Sequence, residues 1–266
     1  EQAVLVAEAL IDGGGHLDPA EFAERLVVWE QRMRERGSLD LLGPSTKAAV
    51  AAILAGVPAS ESGRHGTTNG AAMRVAPVGI LMPSGDLSAL VERVVEASSV
   101  THNTGVALAG ASAVAAAVSA GVDGASVAEA TQLGIRAARL AAGRGHWVAA
   151  ASVHHRIEWA VSMADPADAG ASLERIRNLI GTSLATQESV PAAFGVLAVF
   201  GDDPWGACLA AASQGGDSDT IAAMVGAVAG ACTGIGGFPA AAVDTVRKVN
   251  RLHLGPLVDR LLELRA

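Results

Sequence analysis

Polar and turn-forming residues recur at short intervals along this chain, and the runs between them are rich in Ala, Leu and Glu. That composition favours helices over strands. Helix starts are marked by Asp18-Pro19-Ala20-Glu21, by the capping box Ser126-Val127-Ala128-Glu129 and by Asp203-Pro204. The first residues, 1–11, also have helical character, but no capping residue precedes them. The pattern predicts an all-α protein, a compact orthogonal bundle of helices.

Two segments are almost entirely apolar, Thr104 to Ala120 and Ile221 to Val243. The second contains Gly226-Ala227-Val228-Ala229-Gly230, a spacing found in membrane helices that pack closely. Glycines and Pro239 interrupt it well short of the ~20 residues that a membrane span needs, and most of its apolar residues are alanines. We therefore expect both segments to form core helices packed on all sides, with the helix from about Thr220 to Cys232 at the centre of the bundle.

Composition narrows the possible partners. The chain has 266 residues, of which 50% are hydrophobic and 17% charged, as in one globular domain over residues 1–266. Its formal net charge of −8 argues against binding to nucleic acid or to an anionic membrane surface.

Cys208 and Cys232 lack metal-ligand spacing, so we expect them to be small buried residues. A reducing compartment fits them, although one disulfide bond is also compatible with two cysteines.

The segment from Gln214 to Ala223 places two carboxylates and a hydroxyl before a long apolar helix. Asp217, Asp219 and Thr220 are hard oxygen ligands of the kind that Mg²⁺, Mn²⁺ or Ca²⁺ binds. The alternative is that they are ordinary N-cap residues, because Asp, Ser and Thr commonly accept hydrogen bonds at a helix start. One capping oxygen is enough for that purpose, so the second carboxylate favours a bound cation.

A loop from Gly56 to Thr68 is predicted to be the longest flexible stretch, and it leads directly into Thr68-Asn69-Gly70. Backbone N–H groups in such a turn can bind phosphate, although a plain Asn-Gly turn explains the same residues.

His102 falls at the predicted end of a helix. A histidine at that position can either satisfy the last carbonyl groups or serve a binding site.

Three of these segments resemble motifs of the ADP-ribosylglycohydrolase family, which includes the dinitrogenase reductase-activating glycohydrolases. The run GGDSDTIAAMVGAVAGA is similar to the C-terminal signature of that family, and the residues from Thr68 to Pro77 resemble its N-G-x-x-M-R-x-x-P loop. Thr101-His102 is similar to a Thr-His pair of the family, and Gly181 to Glu188 matches a glycine-containing turn more weakly. The motifs occur in the order of the family.

The resemblance implies a metal-dependent hydrolase that cleaves the glycosidic bond of an ADP-ribosyl group on a protein or a small molecule. It implies that Asp217 and Asp219 are catalytic and that Thr220 joins them as a metal ligand. Two Mg²⁺ ions are expected, with Mn²⁺ as a possible substitute. Substrate contacts are assigned to Thr68, Asn69, Gly70 and His102, and a cytoplasmic location is expected.

One departure from the family affects activity. The family supplies the other half of its binuclear site from a Thr-Asp-Asp-Thr segment just before a helix that resembles residues 1–10, whereas this chain starts at that helix. We therefore expect the N-terminal helix and that segment to be absent from these 266 residues. The chain by itself is expected to be inactive.

Two alternatives remain open. One is a hydrolase of another ribosylated metabolite, and the other is an inactive binding or structural protein on the same fold. Family members often stack adenine on an aromatic ring, for which Trp147, Trp159, Trp205 and the four phenylalanines are candidates here. A core position is the simpler expectation for these tryptophans.

Overall fold

The computed structural model describes residues 1–38 and 42–265, and the prediction of an all-α protein is confirmed over those ranges, which contain no strand. The α-helices are α1 Gln2–Asp12, α2 Pro19–Glu35, α3 Pro44–Leu54, α4 Ala59–Ser62, α5 Gly70–Arg74, α6 Ala76–Leu81, α7 Leu87–His102, α8 Gly105–Val122, α9 Val127–Ala141, α10 Val153–Ser162, α11 Ala169–Arg175, α12 Thr186–Phe200, α13 Pro204–Ala212, α14 Ser218–Thr233, α15 Ala240–Asn250 and α16 Gly255–Leu264. A π-helical turn, Ile176–Ile180, follows α11.

The helix starts read from the sequence are confirmed. Asp18 accepts hydrogen bonds from the N–H groups of Ala20 and Glu21, and Ser126 forms a capping box with Glu129. The first helix begins at Gln2, and no side chain caps it. Short polar side chains at the predicted positions therefore end the turns and start the helices.

The central helix is α8, and the prediction that the helix at Thr220 to Cys232 occupies the centre is wrong. Every residue of α8 from Val106 to Gly121 is buried, and the helix packs against α5, α6, α7, α9, α12 and α14. Helix α8 is long and apolar enough to cross a membrane, but 89% of it is buried inside this protein, as expected of a core helix.

Helix α14 is buried along one stripe only. Its buried residues are Thr220, Ile221, Met224, Val225, Val228 and Ala229, which recur every three or four positions. The opposite face, which carries Gly226 and Gly230, is only partly covered. Alanine and glycine make both faces equally apolar in sequence, so composition did not distinguish the buried face from the open one.

Small residues let the neighbouring helices approach α8 closely. A Cβ atom at Gly110 would collide with the side chain of Thr186 at the start of α12, and one at Gly121 would collide with the backbone of α14 at Ala231. Glycine is therefore required at both points. These contacts hold the first turn of α12 and the last turns of α14 against the central helix.

The segment from Gly56 to Thr68 has more structure than its sequence predicts. It contains α4, and the Ser62 hydroxyl donates to the Val100 carbonyl oxygen at 2.6 Å. Two of its carbonyl oxygens also accept hydrogen bonds, that of Gly63 from Asn103 N at 2.8 Å and that of Gly66 from Thr104 Oγ1 at 2.5 Å. These bonds to the end of α7 fix the segment, so the prediction of a flexible loop is wrong.

Candidate active site

Four segments that are distant in sequence meet beside the N-terminus of α14. They are the turn at residues 66–69, the end of α7, the turn at residues 181–185 before α12, and the loop from Ser213 to Asp217. Asn69 N donates to the Leu184 carbonyl oxygen at 3.0 Å, and Asp217 N donates to the Thr182 carbonyl oxygen at 2.7 Å. The turn before α12 therefore joins the turn at residues 66–69 to the loop that ends at Asp217, through backbone hydrogen bonds.

The two glycines before Asp217 are required by the backbone. Gly215 has φ of 77° and Gly216 has φ of 65°, both in the left-handed region that favours glycine. A Cβ atom at Gly216 would also collide with the Thr182 carbonyl oxygen. The glycines thus bring Asp217 against the turn that precedes α12.

Asp217 stands at the N-cap of α14 but does not cap the helix with its side chain. The five other aspartates at helix N-caps in residues 1–38 and 42–265 all accept hydrogen bonds from helix N–H groups; they are Asp18, Asp86, Asp165, Asp168 and Asp203. The Asp217 carboxylate instead accepts a hydrogen bond of 2.5 Å from Asn69 Nδ2. No other donor among the described residues contacts this carboxylate, so its remaining lone pairs can accept from a ligand.

Asn69 holds that carboxylate in place. Its side-chain amide donates to Ser189 Oγ at 2.9 Å as well as to Asp217 Oδ2, so both amide hydrogens are used. The opposite orientation of the amide would place its oxygen against the carboxylate, which is repulsive. The side-chain oxygen Oδ1 of Asn69 therefore remains as the group that can contact a ligand.

The other two predicted metal ligands lie on the first turn of α14. Asp219 is exposed, and Thr220 is buried with its hydroxyl 3.8 Å from the Met73 sulfur. Asp217, Asp219 and Thr220 provide two carboxylates and one hydroxyl, which are the hard oxygen ligands that a divalent cation such as Mg²⁺ prefers. Within the described ranges, no group of three or more His, Cys, Asp or Glu residues could hold a metal ion.

The predicted substrate residues Thr68, Gly70 and His102 are in contact with one another. The Thr68 hydroxyl lies 3.1 Å from His102 Nε2, and a Cβ atom at Gly70 would lie 3.0 Å from the imidazole ring. His102 is fully buried at the last turn of α7. Burial, together with the positive charge of Arg74, holds the pKa of His102 well below its usual value, so the imidazole is neutral at pH 7.

A cavity of about 210 Å³ lies between the start of α8 and the loop from Gly143 to Ser152. It is joined to the site through the backbone, because His146 N donates to the Asn103 carbonyl oxygen and Gly105 N donates to the His146 carbonyl oxygen. Trp147 lines the cavity and is 86% exposed. A wide apolar ring is thus exposed at this cavity.

The prediction that the tryptophans lie in the core is wrong for all three. Trp147, Trp159 and Trp205 are all exposed, because Trp147 lies in a loop, and Trp159 on α10 and Trp205 on α13 lie outside the buried stripes of their helices. The prediction of buried cysteines is also wrong. Cys208 and Cys232 are half-buried free thiols, and burial raises the pKa of both, that of Cys232 to about 11 with a further contribution from Asp202.

Sequence reasoning missed three residues that build the site. Ser189 anchors the Asn69 amide, the Thr182 carbonyl oxygen anchors the Asp217 backbone, and Thr101 hydrogen-bonds the His102 ring. Thr101 could have been found as the neighbour of His102 in the Thr-His pair. No sequence signal marks Ser189 or Thr182, because their contacts depend on how distant segments pack.

Comparison with known proteins gives consistent matches along the whole chain. The family model described as ADP-ribosylglycohydrolase matches residues 1–266. The uncharacterized protein YegU of Escherichia coli K12 is 34% identical over 264 residues, which are 99% of this chain and 79% of that protein. An uncharacterized protein of Archaeoglobus fulgidus is 34% identical over 233 residues, 87% of this chain and 69% of that protein.

The fold is also found among solved structures. A structure described as an ADP-ribosylglycohydrolase-related protein complex superposes with a TM-score of 0.64 over 99% of this chain and 78% of that chain. Its sequence identity is 23%, so the similarity concerns the fold. This similarity confirms the all-helical fold.

Proposed function

Since the chain belongs to the ADP-ribosylglycohydrolase family, we propose that it hydrolyses the N- or O-glycosidic bond between an ADP-ribosyl group and a protein side chain or small molecule. The observation that carries this proposal is the Asp217 carboxylate, which occupies an N-cap without capping and is held by Asn69 instead. An aspartate used only for helix stability would accept helix N–H groups, as the other N-cap aspartates do.

Asp217, Asp219 and Thr220 are the residues proposed to hold the metal ion. Mg²⁺ suits them because it prefers hard oxygen ligands, and Mn²⁺ accepts the same ligands. When bound, such a cation supplies Lewis acidity that activates water and orients the oxygen atoms of the substrate. Asn69 fixes the direction of the Asp217 carboxylate, and the exposed Asp219 needs to break no existing contact to reach a ligand.

The remaining residues orient the sugar and its base. Thr68, Asn69 and Gly70 form the turn beside Asp217, and His102 supports that turn from the core. The cavity lined by Trp147 is linked to the end of α7, which carries His102, by the hydrogen bond from His146 N to the Asn103 carbonyl oxygen. The exposed Trp147 ring is the stacking surface proposed for adenine. An ADP-ribosyl group has a ribose for the carboxylate side and an adenine for the aromatic side, so its two ends match the two parts of the site.

The positive charge of the transition state determines which side chains can assist the cleavage. Cleavage of a ribosyl bond passes through an oxocarbenium-like transition state with positive charge at the anomeric carbon. Carboxylates fixed near that carbon stabilise the developing charge without reorganisation, because Asn69 and Ser189 already hold Asp217. His102 is neutral at pH 7, so it acts as a fixed hydrogen-bonding group and adds no repulsive charge.

The test is Asp219→Ala in the protein as encoded, including any residues that precede Glu1. We expect turnover of ADP-ribosylated protein to fall at least about 100-fold, because a metal ligand is removed, while the helical circular dichroism is unchanged. Asp244→Ala removes an equally exposed aspartate from α15 and is expected to keep full turnover. Undiminished hydrolysis by Asp219→Ala would refute the catalytic assignment. Tight ADP-ribose binding without turnover in the wild type would instead identify a binding protein.

A further inference from the structure

Four polar side chains form a continuous row of hydrogen bonds from the protein core to the candidate site. Arg74 Nη2 lies 2.5 Å from Thr101 Oγ1, and Thr101 Oγ1 lies 2.7 Å from His102 Nδ1. On the other side of the imidazole ring, His102 Nε2 lies 3.1 Å from Thr68 Oγ1. The row ends at Thr68, whose neighbour Asn69 holds the Asp217 carboxylate.

The inner end of the row is a buried cation. Arg74 is 1% exposed, lies over the Phe22 ring and donates to Gln2 Oε1 at 3.2 Å. No carboxylate in the described part of the chain forms an ion pair with it, and its Nε has no hydrogen-bond partner there. An unpaired buried charge costs stability, so stability does not account for an arginine at this position.

The chemistry of the donors fixes the direction of every hydrogen bond in the row. Burial lowers the pKa of Arg74 only to about 10, so at neutral pH the guanidinium is charged and can only donate. Thr101 Oγ1 therefore accepts from Arg74, and its own hydrogen is left for His102 Nδ1. Nδ1 must then be the unprotonated nitrogen of the ring.

The position of the proton on the His102 ring follows from these bond directions. A neutral imidazole carries one proton, which now stands on Nε2 and is donated to Thr68 Oγ1. With Nδ1 protonated instead, the fully buried Thr101 hydroxyl would have two donors directed at it and no acceptor for its own hydrogen. The Thr68 oxygen accepts from His102, and among the described residues no acceptor is in contact with the Thr68 hydroxyl hydrogen.

We propose that Arg74 and Thr101 are positioning residues, which fix the His102 proton on Nε2 so that the Thr68 hydroxyl keeps its hydrogen to donate to an oxygen atom of the ribosyl substrate. The identity of that acceptor rests on the proposed function, whereas the assignment of the proton does not. Without Arg74 and Thr101 the ring can take the opposite tautomer. Nε2 would then accept the Thr68 hydrogen, and the substrate would lose a donor.

The first measurement is the tautomer of His102 by ¹⁵N-edited NMR of the imidazole rings at pH 7.5. The spectrum of His102→Gln identifies its signals among those of the seven histidines. We expect a protonated Nε2 and an unprotonated Nδ1 in the wild type. Thr101→Val should shift the ring toward the opposite tautomer, and Thr101→Ser, which keeps the hydroxyl, should restore the wild-type signals.

A matched control tests whether any buried threonine has this effect. Thr131→Val makes the same small change at a buried position on α9, outside the row, and should leave the His102 signals unchanged. A protonated Nδ1 in the wild type would overturn the proposal, even if Thr101→Val proved too unstable to study.

The second measurement is the dissociation constant of ADP-ribose, by calorimetry with Mg²⁺ present. Thr68→Val and Thr101→Val should each weaken binding about tenfold, the upper range for one hydrogen bond. If Thr101 acts through Thr68, Thr101→Val should have almost no further effect in the Thr68→Val background.

Two outcomes separate this proposal from the proposed function. An equal, additive loss from Thr101→Val in both backgrounds would indicate a merely structural role for Thr101 and overturn the proposal. A wild type that carries the Nε2 proton but binds no ADP-ribose would contradict the proposed function and support only the proton assignment.

Discussion

His102 shows what burial does to a titratable side chain in this protein. Its ring is fully enclosed, its two nitrogens contact Thr101 and Thr68, and the nearest charge is the cation of Arg74. Burial first, and then that positive charge, disfavour the imidazolium and hold the pKa well below 6.5. In the unfolded chain the same histidine titrates normally, so the two states bind different numbers of protons below about pH 6.5.

The first prediction at this scale is a pH dependence of stability. Below about pH 6.5 the unfolded state binds a proton at His102 that the folded state does not, so the free energy of unfolding decreases as the pH falls. The loss from this residue should approach about 1.4 kcal/mol per pH unit, or about 2 kcal/mol between pH 7.5 and 5. Urea denaturation at both pH values should therefore show a smaller loss for His102→Gln than for the wild type. Parallel losses would contradict the neutral, buried assignment.

At the scale of the elements, the C-terminal helix packs against α1 and α6 through Leu261, and one largely buried arginine next to it adds several hydrogen bonds. Arg265, just after α16, donates through Nη1 to the carbonyl oxygens of Gly79, Ile80 and Met82, which lie at the end of α6. Arg265 Nη2 lies 2.7 Å from the carboxylate of Asp123, the residue that follows α8. The side chain is 9% exposed, so these bonds are largely shielded from water.

We therefore predict that Arg265→Met lowers the free energy of unfolding by about 3 kcal/mol, because it leaves several carbonyl groups and a carboxylate without their donor. Arg260→Met is the matched control, since Arg260 lies on α16 itself and, among the described residues, pairs with the exposed Glu263. An exposed pair of this kind contributes less than about 1 kcal/mol. Equal losses for the two variants in urea denaturation would show that Arg265 does not fasten the helix.

The elements themselves could be read from the sequence where local chemistry decides. Asp18-Pro19 and Ser126 mark helix starts through contacts within a few residues, and the structure has them in place. The central position of α8 rather than α14 could not be read, because both helices are chains of alanine, valine and glycine. The difference lies in which neighbours cover each face, such as Thr186 against Gly110, and those contacts span distant segments.

At the scale of the whole molecule, the candidate site exists only because distant segments meet. Asp217 and Asn69 are 148 positions apart, and Asn69 and Ser189 are 120 apart. Resemblance to the family indicated Asp217, Asn69 and His102 as members of one site. It could not indicate that Asn69 restrains the Asp217 carboxylate, since that depends on the turn before α12, nor that Trp147 is exposed beside the site.

The last prediction concerns how many metal ions these 266 residues can hold. Two divalent cations ~4 Å apart repel each other by roughly 16 kcal/mol at an effective dielectric constant near 20. Asp217 and Asp219 supply two of the four negative charges that would neutralise the pair. We therefore predict that residues 1–266 by themselves bind at most one Mg²⁺ or Mn²⁺ ion, and bind it weakly. A form extended by a segment that carries an Asp pair should bind a second ion.

Calorimetric titration of both forms with each metal measures the number of sites. If the 266 residues alone bound two ions tightly, the missing charge would have to come from elsewhere in the described chain. Glu61, on the exposed helix α4, is paired with Arg64. Glu188 lies on the first turn of α12, in contact with Gly181 and next in sequence to Ser189, which holds Asn69. Glu188 is therefore the carboxylate to examine. Loss of one of two ions in Glu188→Gln, with Glu61→Gln unchanged, would show that Glu188 supplies the missing charge and would contradict the limit of one ion.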